Sequence, residues 1–393
     1  MSESPAITRI ELDAFEIRVP GIGSDPAGMG VSYVPGPGLP QLRFAVRIHA
    51  DNGVVGSYVP PRGRARVIMG ACEALAHTLI GKPALARERH YFAMRRATKH
   101  IGEVGIGALD IALWDLAGKH HGASITTLLG GDRQRLPAYA STMHGDGDPD
   151  GLSSPEAYAD FAQACLERGY PGYKMHGWSN GDVAREIAML RAVADRVGGR
   201  MDLMYDASLH LKTFAEAVRV GKVLDELGYY WFEDPYADGG ISINGHRRLK
   251  EHVKTPILIT EFVRNAETTI DVLLAGATDF ARVDPDYDGG ITGCYKTAIA
   301  AQTLGMDAEV HACGPPMRHL MAALSNSNYY EINLLHPRTP NAWCLPVYAS
   351  DYSDEFDSIG DDGCVAVPQG PGLGVEYDWG YIERHRAASV IIS

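Results

Sequence analysis

Short apolar runs that each end on a charged or imidazole side chain recur through the middle of the chain. The stretch Tyr173-Lys174-Met175-His176 opens the series, and the runs 201–206, 229–233, 257–261, 280–284, 308–311 and 329–331 close on Asp206, Glu233, Glu261, Asp284, His311 and Glu331. Counted from Lys174, the spacings are 32, 27, 28, 23, 27 and 20 residues, each room for a strand, a helix and two loops. Repeating βα units of that size predict a parallel barrel, whose strand ends converge on one mouth. The seven positions therefore describe one site.

Helical periodicity fills the gaps at 155–169, 182–197, 213–227, 271–276, 295–304 and 317–324, and LPAYAS at 136–141 predicts the first barrel strand. Ahead of the repeats the pattern changes. Residues 7–19 (ITRIELDAFEIRV) alternate as a strand, and 42–49 followed by Asp51-Asn52-Gly53 predict a hairpin into 54–59. Helices are expected over 65–80 and 84–98. Over 105–120 (GIGALDIALWDLAGKH) the apolar positions surround the helix, which predicts burial on more than one side. Residues 21–40 are crowded with glycine and proline, which predicts no regular element and suits a lid over a nearby site. After Glu331 the chain turns Pro- and Gly-rich, and its last sixty or so residues are expected to return to the N-terminal unit.

Composition narrows the partners. A formal charge of -13 over 393 residues argues against nucleic acid or an anionic membrane, both of which require a basic face. The six cysteines lack CxxC or zinc-type spacing and read as reduced packing thiols. No stretch has the length to span a bilayer, and the N-terminus lacks a basic start followed by an apolar run, so a cytoplasmic protein is expected.

The strand-end residues carry a chemistry. Asp206, Glu233 and Glu261 form an all-oxygen set suited to a hard divalent cation, Mg²⁺ before Ca²⁺. Without one, three packed carboxylates would repel and raise each other's pKa. Lys174 and His176, two apart on a strand, point the same way. Asp284 and His311 end consecutive strands, so the carboxylate can fix the tautomer of the ring. Glu331 closes the ring on the eighth strand and, if protonated, could donate to a substrate carboxylate. Together these groups suit removal of a proton next to a carboxylate, with the enediolate charge met by the cation and Lys174. Enolase-superfamily sites are a standing example of such a set.

GALDIALWDLAGK at 107–119 with LLGG at 128–131, WFEDP at 231–235 and DPDYDGGITG at 284–293 resemble the enolase superfamily, and within it the mandelate racemase subgroup, over nearly the whole chain. The resemblance implies an α/β fold, a (β/α)7β TIM-like barrel with an α+β capping domain. Residues 1–134 would form the cap with a substrate loop near 21–40, 135–332 the barrel, and 333–393 the return to the cap. It also implies Mg²⁺ on Asp206, Glu233 and Glu261, an Asp284–His311 dyad, a Glu331 that meets the substrate carboxylate, and a homo-oligomer. Two departures stand out: Lys174-Met175-His176 replaces the usual Lys-x-Lys, and Ser208 stands where Asn is common. The expected activity is dehydration of a sugar acid to a 2-keto-3-deoxy acid. Racemisation or epimerisation of a hydroxy or amino acid derivative, sugar lactone cycloisomerisation, and a silent metal-holding binder are the alternatives.

Overall fold

The computed structural model describes residues 4–24, 30–62, 64–237 and 242–393. Eight strands form one curled parallel sheet: Arg135–Thr142, Gly172–His176, Asp202–Asp206, Trp231–Glu233, Ile257–Ile259, Phe280–Val283 and Asp307–Val310 follow in order, and Tyr330–Leu335 lies on the other side of Arg135–Thr142. They are the first to eighth barrel strands below. Between the seventh and eighth, side chains close the ring. The Asn328 amide donates to Glu309 (2.7 Å) and Asp307 (3.0 Å), and the Ala312 N–H donates to Oε2 of Glu331 (2.8 Å).

Each of the first seven strands is followed by a helix, the early ones started by side-chain caps. Ser154, Asp182, Thr213, Ser242 and Asn265 each accept a backbone N–H of the first turn, which satisfies donors that a helix leaves free there. The Asn265 cap starts the fifth helix, Ala266–Leu274, five residues before the apolar pattern predicts. A helix at Ile243–Lys250, absent from the sequence reading, has only Ile243 and Leu249 as aliphatic positions besides the buried His246. Inside the barrel, Tyr139, Met204, Trp231, Leu258 and Phe280 pack as a separate apolar cluster beneath the mouth.

The cap is a four-stranded antiparallel sheet in the order Arg386–Ile392, Ile7–Arg18, Pro40–Ala50, Val55–Tyr58. Both of its faces are covered. Ile10, Leu12, Phe44, Val46 and Ile48 join the main core with the cap helices, whereas Phe15, Ile17, Val19 and Ala45 pack with Leu345, Val347, Tyr377 and Ile382 of the C-terminal stretch. That explains how Glu11 and Asp13 are buried in a strand read as half-exposed: Arg47 reaches them at 2.6 and 2.9 Å. Before the chain reaches the cap sheet, Cys364–Ala366 lies antiparallel against the start of the first barrel strand.

The helix Ile106–His121 joins these units. Its residues from Ile106 to Gly118 are all buried, two aspartates among them. Asp110 accepts from the backbone N–H (2.9 Å) and hydroxyl (2.6 Å) of Thr292 on the helix after the sixth strand. Asp115 accepts from Ser57 of the cap sheet (2.7 Å), Leu373 of the C-terminal stretch (2.9 Å) and Lys119 (2.6 Å). A Cβ on Gly107 would come within 2.5 Å of the carbonyl oxygens of Pro285 and Asp286.

The stretch 21–40 contradicts the expectation of no regular element. Ile22–Ser24 and Val31–Tyr33 pair as a short antiparallel hairpin, because Ile22, Val31 and Tyr33 supply β-favouring side chains among the glycines. Residues 25–29 of the expected lid lie outside the described residues. The hairpin is fastened to the barrel: the His144 N–H donates to the Val31 carbonyl (3.0 Å), and Tyr33 stacks on His336 with ring centroids 4.5 Å apart.

Gly107→Ala is expected to lower stability by about 1–3 kcal/mol, since backbone oxygens cannot give way. Gly70→Ala, in the helix Ala65–Ala76 with open space where its Cβ would go, should raise it by about 0.5–1 kcal/mol. Urea denaturation of both variants checks the pair.

Candidate active site

The strand ends bring the expected residues together. Ligand oxygens of Asp206, Glu233 and Glu261 lie within 4.8 Å of one another, the one group of this kind among the described residues. Their exposures differ in a telling way: the side chains of Asp206 and Glu233 are 4% and 1% exposed, that of Glu261 19%. The site opens towards Glu261.

Two histidines flank the trio. On one side, Nε2 of His176 lies 3.0 Å from Oδ2 of Asp206, and Nδ1 lies 2.6 Å from the Thr142 carbonyl. A carbonyl only accepts, so Nδ1 donates to it, and Nε2, on the mouth side, has the Asp206 carboxylate as its acceptor. On the other side, Nδ1 of His311 donates to Oδ2 of Asp284 (2.6 Å) and Nε2 lies 3.6 Å from Oε2 of Glu261. Asp284 is held well below the ordinary carboxylate range: burial works against this, but Arg62 and His311 overcome it. The dyad read from the sequence is thus formed in space, with its carboxylate ionised.

Lys174, in the middle of the second strand, reaches Oε2 of Glu233 (2.9 Å), Oε1 of Glu331 (3.0 Å) and Oδ2 of Asp206 (3.5 Å). Burial favours its neutral form, but Glu233 and Glu331 hold its pKa well above the usual lysine value. It is a fixed cation.

Glu331 differs from the expectation in place and charge. It is the second residue of the strand Tyr330–Leu335, which continues through Ile332-Asn333-Leu334 to the mouth, so its carboxylate lies one level below the strand ends. Burial alone would push it towards the protonated form, but Lys174 and Arg282 hold its pKa well below the ordinary range. Ionised, Glu331 accepts the Ala312 N–H (2.8 Å), and its Oε1 lies 3.0 Å from the Lys174 ammonium.

Several residues of the site were not singled out from the sequence. Arg282, two before Asp284 on the sixth strand, is buried and reaches Oε1 of Glu233 (3.0 Å) and Oε2 of Glu331 (3.1 Å). Its signal was available, because an arginine inside a buried apolar strand demands partners. Asp234 is buried next to Glu233, and burial with Glu261, Asp206 and Glu233 nearby drives its pKa well up. Arg62 of the cap contacts the dyad, and nothing in its local sequence announces it. His144 and His210 form a ring cluster with His176: His144 lies 5.0 Å from His176 and 5.1 Å from His210 between centroids. Burial, then His176 and His210, hold His144 well below the usual histidine pKa. Ser208 does not leave Asp206 unsupported, since its N–H (2.7 Å) and hydroxyl (3.1 Å) both donate to Oδ1. Arg264 is partly exposed, 3.5 Å from Asp288.

Backbone strain marks the same places. Among the described residues, the non-glycine positions with positive φ are Arg64, Ser208, Leu209, Asp234, Thr260 and Ala312. Five of the six follow the third, fourth, fifth and seventh strands, beside Asp206, Glu233, Glu261 and His311. Such conformations cost about 1–3 kcal/mol each and persist where surrounding contacts impose them. At Thr260 the contact is explicit: its hydroxyl accepts the Arg282 N–H (2.8 Å) and donates to the Arg282 carbonyl (3.1 Å).

A two-ended cap over a parallel barrel, with three carboxylates and a His–Asp pair at the strand ends, defines the enolase-superfamily class. Within that class the chain belongs to the mandelate racemase/muconate lactonizing enzyme family: residues 157–381 match the model "Enolase C-terminal domain-like", and residues 41–130 match the family's N-terminal domain. A solved D-glucarate dehydratase from Agrobacterium tumefaciens, complexed with magnesium, superposes with a TM-score of 0.86 at 30% identity, over 98% of this chain and 100% of that one. A D-galactarolactone cycloisomerase of Agrobacterium fabrum is 29% identical over 353 residues, 86% of this chain and 89% of its own. An arabinonate dehydratase of Saccharolobus solfataricus is 27% identical over 373 residues, 89% and 92% of the two chains. Among the described residues no helix is long and apolar enough to cross a membrane.

Glu186 sits behind the second strand's loop, accepting from the Trp178 N–H (2.8 Å) and the Tyr205 hydroxyl (3.0 Å). Burial pushes its pKa up to about 7. Between the ordinary glutamate value and 7 the folded chain keeps a proton that the unfolded chain has released, so stability falls as pH rises through that window, by about 3 kcal/mol. Glu186→Gln removes this dependence. Urea unfolding at pH 4 and pH 8 should show wild type losing about 3 kcal/mol more than the variant, and parallel losses would contradict the assignment.

Proposed function

We propose that this protein removes the proton next to the carboxylate of a sugar acid and expels the neighbouring 3-hydroxyl, giving a 2-keto-3-deoxy acid. The observation that carries the reading is the pair of histidines flanking the Asp206–Glu233–Glu261 trio, one of them bonded to an ionised Asp284. The dehydratases among its relatives support the same reaction class.

The trio fits Mg²⁺. All three donors are carboxylate oxygens, which a hard cation prefers, and the more exposed Glu261 leaves an approach for a substrate oxygen. Asp206, Glu233 and Glu261 are the proposed ligands. Bound there, Mg²⁺ would supply Lewis-acid charge at the substrate carboxylate.

The remaining steps fall to the chain's own side chains. Lys174, kept protonated by Glu233 and Glu331, donates to the substrate carboxylate as negative charge builds. His311, with Nδ1–H committed to Asp284, presents Nε2 to the mouth. It delivers a proton to the departing 3-hydroxyl, taken on Nε2 from carbon 2 when His311 is itself the base and carried there as the imidazolium when His176 is, so that carbon 3 loses water and the enol product ketonises. The base at carbon 2 is His311 itself or His176 on the opposite flank, according to the configuration of the substrate. Two opposed imidazoles also favour a second reading, epimerisation at carbon 2, in which one ring removes the proton and the other returns it. We place the reaction in the cytoplasm, in keeping with six unpaired cysteines.

Proton NMR of the protein with Mg²⁺ in D₂O against mono- and diacid sugars, followed by a keto-acid assay, tests the reading. A 2-keto-3-deoxy product is expected; inversion at carbon 2 without a keto acid would establish the epimerase instead. His311→Asn should cut turnover by about 10²–10⁴ while Mg²⁺ affinity by calorimetry stays within about threefold. Glu233→Gln should weaken Mg²⁺ binding and lose activity with the barrel still folded. Retained activity in either variant would overturn that residue's role.

A further inference from the structure

Arg62 belongs to the cap, between the strand Val55–Tyr58 and the helix Ala65–Ala76, yet its side chain is buried at the end of the sixth barrel strand. NH2 of its guanidinium donates to Oδ1 of Asp284 (2.5 Å) and Oδ2 of Asp286 (3.2 Å), and Nε reaches the same Asp286 oxygen at 3.4 Å. NH1 lies 3.0 Å from Nδ1 of His311, and the guanidinium carbon lies 4.7 Å from the centroid of the Tyr287 ring. Tyr58, from the adjoining cap strand, donates to the other Asp286 oxygen (2.6 Å). Two cap residues thus hold the loop from which Asp284 projects.

The donor and acceptor count assigns the protons. A guanidinium only donates and an ionised carboxylate only accepts, while Nδ1 of His311 offers either one proton or one lone pair. The shorter contact, 2.6 Å to Oδ2 of Asp284, takes that proton. Oδ1 of Asp284 is meanwhile filled by Arg62 and by the Asp286 N–H (3.0 Å). With Oδ1 occupied, Oδ2 is the oxygen left for the ring, and the carboxylate cannot rotate without breaking both bonds. Arg62 therefore acts on a group it does not share with substrate.

We propose that Arg62 is a positioning residue by which the cap fixes the Asp284 carboxylate, and through it the tautomer and ring orientation of His311, so that the acid–base dyad is complete only with the cap seated on the barrel. The inference rests on His311 being the acid–base group of the proposed function. A planar guanidinium meets two carboxylates and an aromatic face at once, which a lysine ammonium cannot reproduce. Arg64 holds a left-handed backbone, φ 66°, which a relaxed non-glycine residue avoids. Gly107, whose missing Cβ lets the cap helix lie against Pro285 and Asp286, sets the approach of the same loop.

The test combines a spectroscopic and a kinetic readout. Long-range proton–nitrogen NMR of histidine-labelled protein, with the His311 signals assigned from His311→Asn, reports the tautomer in the absence of substrate. Wild type should show Nδ1 protonated and Nε2 bare; Arg62→Met should show mixed tautomers or exchange broadening. With a turned-over acid in hand, Arg62→Met should lose about 100-fold in kcat with KM within about threefold, because misplacing an acid–base group slows chemistry more than binding. Arg62→Lys should regain less than about a tenth of wild-type kcat, and added guanidinium should partly restore Arg62→Met. Asp286→Asn loosens Arg62 while keeping the backbone N–H that Asp284 accepts, and should shift the ring signals the same way, so it carries the test should Arg62→Met fail to fold. Unchanged His311 signals in these variants would overturn the proposal. So would a raised KM at constant kcat in Arg62→Met, which would make Arg62 a substrate-binding group. If wild type turns over none of the acids, the functional reading fails while the ring signals still decide the role of Arg62.

Discussion

Two cations and two carboxylates buried inside the barrel constrain everything above them. Lys174 bridges Glu233 and Glu331, and Arg282 bridges the same pair from the far side. All four are almost fully buried. Each would be very costly alone, and breaking such a pair costs about 3–5 kcal/mol because it leaves a charge uncompensated. The network therefore fixes the rotamers of Lys174 and Glu233, and with them the positions of one candidate ligand and one candidate cation at the mouth. Beneath lies the apolar cluster around Trp231, whose indole N–H donates to Glu233 (3.2 Å), so that the ionic layer stands on a packed floor.

From this layer upwards the site becomes progressively strained and open. The positive-φ residues follow the strands that carry Asp206, Glu233, Glu261 and His311, where the chain must turn out of the sheet while keeping a side chain aimed inwards. Contacts made elsewhere sustain those turns: Ser208 on Asp206, Thr260 on Arg282, Ala312 on Glu331. The strain and the ionic layer are thus coupled, since Arg282 and Glu331 serve both.

The cap contributes more than cover. Asp110 and Asp115 tie the helix Ile106–His121 to the barrel, the cap sheet and the C-terminal stretch, and Arg62 and Tyr58 reach the loop after Asp284. A dyad on the barrel is consequently held from outside it. The Tyr33–His336 stack and the His336–Asp146 pair (2.9 Å) make a comparable link on the other side of the mouth.

The order of strands and helices was legible in the sequence, because apolar periodicity and the regular spacing of polar strand ends are local consequences of the βα repeat. So were Asp206, Glu233, Glu261, Asp284 and His311, whose places at the ends of apolar runs follow from strand geometry alone. The helix Ile243–Lys250 was not, since its short apolar face gives little periodic signal and its stability comes from packing. Nor was the level of Glu331, because an acidic residue inside an apolar strand reads as its end unless its cationic partners are known. The charge state of Glu331, the fixed cation at Lys174 and the clamp of Arg62 on Asp284 depend on residues 49 to 222 positions apart in the chain. Sequence determined which groups could meet at the mouth; the tertiary structure alone decided their protonation and aim, because electrostatic pairing acts through space and the chain's order does not encode distance.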